Sequence, residues 1–191
     1  MHHTVVRKSV ISMALVTAFA AYAIAQMSQT SAGNSRTGLS AADKTFIKKA
    51  AEGGLAEVEL GQLAAQKASS PEVRQFGQRM VDDHSKANDQ LKQVASQKGV
   101  TVPDKLTAKD AATKAKLEKL SGEAFDRAYM KDMVSDHTKD VSEFQDASQT
   151  ARDPDVKDFV SKTLPTLQEH LNQAQSIAPK VAKSGRPGGS H

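Results

Sequence analysis

From residue 41 to residue 177 the apolar positions fall three and four apart, the spacing that gives an α-helix one buried stripe. Phe46, Ala50, Gly54, Gly61 and Ala64 form the first stripe, and Val73, Gly77, Met80, Val81 and Leu91 the second. Tyr129, Met133, Val141 and Phe144 form the third, and Val156, Phe159, Leu167, Ala174 and Ile177 the fourth. No stretch alternates apolar and polar residues as a half-buried strand does. Four long helices are predicted, at about 41–68, 71–98, 123–151 and 154–177, with a shorter polar helix at about 107–120. Their ends carry recognisable signals. Ser40 precedes the first helix, with Asp43 in its first turn; Ser70-Pro71-Glu72 opens the second and Gly99 closes it; Asp153-Pro154-Asp155 opens the last.

The second half repeats the first. Displacing the sequence by 83 residues lays Asp43 on Asp126, Lys48 on Lys131, Val58 on Val141 and Gln62 on Gln145. The same displacement lays the turn Pro71 to Phe76 on Pro154 to Phe159. Two copies of a helical hairpin are therefore expected. The connection between them is long enough, at ~1.5 Å per helical residue plus its flanking loops, to run the length of a bundle. Such a crossover makes the second and third long helices parallel. The expected fold is all-α: a four-helix bundle of two repeated αα-hairpins with a long crossover containing a short helix.

The start of the chain reads differently. Arg7 and Lys8 precede an uncharged run from Ser9 to Ile24, and Ala23-Ile24-Ala25 supplies a small-x-small cleavage site. A signal peptide over 1–25 is predicted, then a flexible linker over 26–40, the bundle over 41–178 and a disordered tail over 179–191. The competing reading is an uncleaved anchor, for which the run is short and Ala-rich. The chain has no cysteine, so it carries neither a lipid-attachment residue nor a disulfide framework. Its net charge of +4 comes from the ends: without Arg7, Lys8, Arg36, Lys180, Lys183 and Arg186 it falls to −2. The bundle thus offers no basic face and no aromatics interleaved with arginine, which argues against a nucleic-acid partner. An exported protein is expected, periplasmic or associated with the outer membrane, with no spanning helix in its mature chain and an unidentified envelope partner.

Polar residues interrupt the apolar stripes. Glu57 falls within the first, His84 within the second, His137 within the third with Asp140 beside it, and His170 near the edge of the fourth. All five lie near mid-height of their helices. Buried carboxylates and imidazoles cost several kcal/mol each unless paired or metal-bound. One explanation is a satisfied polar network in which histidines donate to Glu57 and Asp140. The other is a site for a single transition-metal ion (iron, zinc or copper) among Glu57, His84, His137, Asp140 and His170. Met80 and Met133 each precede a histidine by four residues, which admits copper, although Met at this spacing ordinarily fills a core. Asp83, Asp136 and Glu169 each precede a histidine by one residue, a step of ~100° that turns them to solvent or a neighbouring helix.

With these residues in place, the chain resembles the bacterial domain-of-unknown-function family 4142. The resemblance rests on Gly54-x-x-Glu57-x-x-Leu60-Gly61, Met80-Val81-x-Asp83-His84, Phe125-Asp126-x-x-Tyr129, Met133-Val134-x-Asp136-His137 and Leu164-Pro165-x-Leu167-x-x-His170-Leu171. It implies a ferritin-like bundle of the cell envelope and no established activity. Ferritin-like di-iron proteins place Glu on two helices and Glu-x-x-His on the other two. Here Val81 and Leu167 stand where the Glu of each Glu-x-x-His pair belongs, and His137 is additional. Di-iron oxidase chemistry is therefore not expected. Two functions are carried forward: a non-catalytic envelope bundle acting in interaction or stress protection, and a metal-binding protein using the five residues above.

Overall fold

The computed structural model describes residues 38–184; the sequence readings on residues 1–37 and 185–191 lie outside them. Among the described residues there are five helices and no strand: α1 (Ala41–Lys67), α2 (Pro71–Gln97), α3 (Ala108–Glu118), α4 (Gly122–Thr150) and α5 (Pro154–Ser184). None of these helices is long and apolar enough to cross a membrane.

The helix starts follow from local chemistry. The Ser40 side chain accepts the Asp43 N–H at 3.0 Å, and the Thr107 hydroxyl accepts that of Asp110 at 3.2 Å. Asp153 Oδ1 accepts the N–H groups of Asp155 and Val156 ahead of α5. Ser70 holds the N-cap position of α2, but its side chain makes no capping bond. Its N–H donates instead to Asp126 Oδ2 at 2.8 Å, while the Ser69 N–H donates to Asp126 Oδ1 at 3.0 Å.

The mirror of this contact lies at the other end. The Asp43 carboxylate accepts the N–H groups of Arg152 and Asp153 at 3.2 to 3.3 Å. The start of α1 therefore meets the end of α4, and the start of α4 meets the end of α1. These two contacts fix the chain directions. α1 packs chiefly on α2 and α4 on α5, with α2 also against α5 and α1 against α4. Hence α1 and α4 are antiparallel, α2 and α4 are parallel, and the segment 98–121 with α3 crosses the length of the bundle. Lys114 ties that crossover to α1 through Glu59 at 2.6 Å, and the buried Leu117 anchors it to the core.

Gly61 and Gly77 let α1 and α2 touch backbone to backbone. A Cβ on Gly61 would lie 2.7 Å from the Gly77 carbonyl oxygen, and one on Gly77 would lie 2.8 Å from that of Gly61. One boundary differs from expectation. The last helix continues past Pro179 to Ser184 instead of ending near Ile177, so residues 179–184 are helix and not a disordered tail. Val181 extends the stripe of Ala174 and Ile177 into the same buried cluster, and that burial offsets the hydrogen bond lost at the proline.

The core has two apolar clusters. One is built around Leu60, Phe76, Met80, Tyr129, Met133 and Ile177, and the other around Ile47, Leu91, Phe144, Phe159 and Leu167. Glu57, His84, His137 and His170 occupy the sequence positions between the two on α1, α2, α4 and α5. The bundle is thus apolar, polar, apolar along its axis.

Candidate metal centre

Three helices deliver one imidazole each to this polar layer. His137 and His170 are completely buried, and His84 is 6% exposed. Ring centres lie 5.6 Å apart for His84 and His137, 5.3 Å for His84 and His170, and 5.4 Å for His137 and His170. One nitrogen of each ring lies within 4.8 Å of the other two. An ion bonded at ~2.0 to 2.1 Å to one nitrogen per ring sits about 3.2 Å from each ring centre, placing the centres about 5.2 to 5.5 Å apart. The triangle already has that size.

Hydrogen bonds orient two of the rings. His137 Nδ1 bonds to the Met133 carbonyl oxygen at 3.0 Å; that oxygen only accepts, so Nδ1 carries the proton and Nε2 keeps a lone pair. His170 Nε2 donates to Asp83 Oδ2 at 2.9 Å, which leaves the lone pair on Nδ1. His137 Nε2, His170 Nδ1 and His84 Nε2 are all buried without a hydrogen-bond partner. Asp83 is itself held by Arg79, whose guanidinium also bonds Glu169 and Gln173. A carboxylate behind a ring nitrogen is the usual support of a metal-bound histidine.

The electrostatics keep all three rings neutral near pH 7. Burial lowers His84 well below its ordinary value, with its two histidine neighbours adding to the effect. Burial takes His137 down to about 4, and it lowers His170 despite the opposing Asp83 hydrogen bond. On Asp83 burial pulls upward, but the His170 and Arg79 hydrogen bonds bring it below its usual range. Three neutral rings with buried lone pairs are the protonation state that metal binding requires.

The two carboxylates of the predicted cluster stand outside the triangle. Glu57 Oε1 lies 3.6 Å from His137 Nδ1, behind the ring, and its Oε2 is buried without a partner. This contact is not an ion pair. Burial, reinforced by Asp140, Asp136 and Asp132, pushes the Glu57 carboxyl well up, and burial lowers His137, so both shifts oppose charge at this contact. Asp140 lines a cavity of about 250 Å³ with Glu57, Asp110 and Asp136 between α1, α3 and α4. Burial raises it to about 7 against the opposing pull of Lys139. The three histidines come together as the sequence suggests; the acids form a neighbouring group.

Leu167 is buried in an apolar cluster, so no bridging carboxylate reaches the rings from α5. Met80 and Met133 belong to the other apolar cluster, and Met133 serves His137 through its carbonyl. Sequence reasoning overlooked Asp83 as a support for His170 and Arg79 as a support for Asp83. It also passed over Tyr129 and Asp132, which have buried oxygens without partners. Three nitrogen donors without a carboxylate suit zinc or copper better than iron, whose facial sites include a carboxylate.

Comparison with known proteins agrees on the fold. The chain is similar to a DUF305 fragment from Deinococcus radiodurans, with a TM-score of 0.66 and 14% identity over 74% of this chain and 98% of that one. It is also similar to a DUF305 protein from Streptomyces coelicolor, assigned as secreted, with a TM-score of 0.63 and 17% identity over 78% of this chain and 96% of that one. At these identities the likeness concerns the helical bundle alone. No curated protein matches the chain. The sequence profile of a domain of unknown function, DUF4142, matches residues 28–177, and the chain belongs to that family.

Proposed function

We propose that this protein is an exported helical bundle that holds a single transition-metal ion, zinc or copper, between His84, His137 and His170. One observation carries the reading: three buried ring nitrogens from three helices converge without a hydrogen-bond partner among them. In a structural polar layer each would be matched by a donor or acceptor, because an unmatched buried polar atom costs about 1 to 3 kcal/mol. A metal ion satisfies all three at once. The binding role is non-catalytic in this reading, and sequestration or stress protection in the cell envelope is the service it suits.

Export is supported by the basic, apolar and small-residue order of residues 1–25 and by the likeness to a protein assigned as secreted. The ferritin-like description, with two repeated hairpins, is supported by the parallel α2 and α4 and by the matched Asp43 and Asp126 contacts. Titration calorimetry with Zn²⁺ and Cu²⁺ on the full chain, purified without an affinity tag, tests the binding. One ion per chain is expected, lost in His84→Leu, His137→Leu and His170→Leu. Binding that survives all three changes would overturn the assignment.

A further inference from the structure

We infer that the fourth coordination position of this centre takes a small exogenous anion, admitted through the cavity between α2 and α5. The inference rests on the metal reading above and concerns what that ion would bind. Zinc is almost always four-coordinate, and zinc sites with three protein ligands leave the fourth position to water or a substrate. The nearby carboxylates do not fill it. Glu57 lies behind His137 on the Nδ1 side, and Asp83 Oδ2 is engaged by His170 Nε2 and Arg79. Three neutral imidazoles also leave the ion's charge uncompensated among its direct ligands, in an interior where isolated charge is costly. An anionic fourth ligand lowers that cost.

The fold provides a place for it. A cavity of about 170 Å³ is lined by His84, His170, Lys86, Lys162, Thr163 and Thr166. A cavity of ~150 Å³ accommodates a molecule the size of benzene, so an anion of three or four heavy atoms fits. Its electrostatics favour that charge. Among the described residues Asp83 is the only carboxylate on the wall, and its charge is already offset by Arg79. Lys86 and Lys162 stand exposed at the rim; Lys162 pairs with Asp158, and Lys86 enters no ion pair among the described residues. The alternative approach to His84, past Phe46, Phe144 and Phe159, offers about 20 Å³, room for little more than one water. Access from the α2–α5 side is therefore assigned by space as well as by charge.

The test uses the full chain loaded with Co²⁺, whose visible spectrum reports coordination, and azide as the anionic probe. Azide is expected to shift the cobalt bands saturably in the unaltered protein. Thr166→Leu, which narrows the cavity, and the double change Lys86→Glu with Lys162→Glu should each weaken azide binding at least fivefold while cobalt content stays at one per chain. Cobalt bound with no spectral response to azide, or the same azide affinity in both variants, would overturn this inference and leave metal binding standing. A chain that takes up no cobalt, zinc or copper overturns both.

Discussion

Asp43 and Asp126, 83 residues apart, close opposite ends of the bundle by the same bond. Asp43 sits in the first turn of α1 and Asp126 is the fifth residue of α4; each is 2% exposed and accepts two consecutive backbone N–H groups from the turn of the other hairpin. The donating pairs, Ser69-Ser70 and Arg152-Asp153, are also 83 apart. Each hairpin thus carries the carboxylate that caps its partner, so the bundle is clasped reciprocally.

Removing a clasp leaves two backbone donors without their acceptor. Asp126→Ala is expected to lower unfolding stability by about 2 to 4 kcal/mol and Asp43→Ala by about 1 to 3, the smaller figure following its longer bonds. The sites lie about 40 Å apart along helices of 27 residues, so the double change should be additive in urea melts.

Gly77 presses on α1 at its closest approach to α2. Gly77→Ala gains about 1 kcal/mol in helix propensity but drives a methyl group into the Gly61 carbonyl and the Ala64 side chain. A net loss of about 1 to 3 kcal/mol is expected, read as a lower midpoint of thermal unfolding. A midpoint that rises would show the helices free to separate there.

His84 should matter little to the metal-free fold. With chelator present, His84→Leu is expected to change stability by less than about 1 kcal/mol in either direction, because Nε2 has no partner to lose and an apolar side chain suits the surroundings. With one equivalent of zinc, the unaltered chain should melt at a higher temperature and the variant should not respond. A variant that loses several kcal/mol under chelation would make the triad a structural network.

Asp132 supplies a pH dependence of known sign. Burial and the neighbouring Asp136 raise its carboxyl from 3.8 to about 6, and one of its oxygens is buried without a partner. The folded state therefore holds this proton more tightly than the unfolded state does, so its contribution is greatest below about pH 4 and is lost as pH rises through about 6. Asp132→Asn should stabilise the protein at pH 7.5 by about 1 to 2 kcal/mol, after allowance for solvent screening of a half-buried group. At pH 3.5 the two proteins should melt alike.

The helices and their order were legible because the apolar stripes are long and the Ser-Pro and Asp-Pro turns are unambiguous. The histidine triangle was legible for a related reason: each histidine interrupts an apolar stripe near the middle of its helix. The role of the acids was less so. A helical wheel places Glu57 and Asp140 on inward faces but does not fix which side of an imidazole they reach, and Glu57 turned out behind His137. Asp83 sits one residue from His84, at the seam where α2 meets α5, and only the packing of those helices shows that it serves His170. Asp43 and Asp126 were visible as a match across the 83-residue displacement, yet an acid near a helix start already suits the helix dipole. Their partners on the opposite hairpin require the tertiary fold. The passage of α5 through Pro179 was hidden for a similar reason, since the burial of Val181 outweighs a local breaker.

Everything proposed about function depends on three rings sharing one ion. X-ray absorption at the zinc edge of the full chain carrying one equivalent of Zn²⁺ reads that coordination directly. The account requires three imidazole nitrogens at about 2.0 Å, with one ring fewer in His170→Leu. A zinc shell dominated by oxygen, or one unchanged by that substitution, would contradict it.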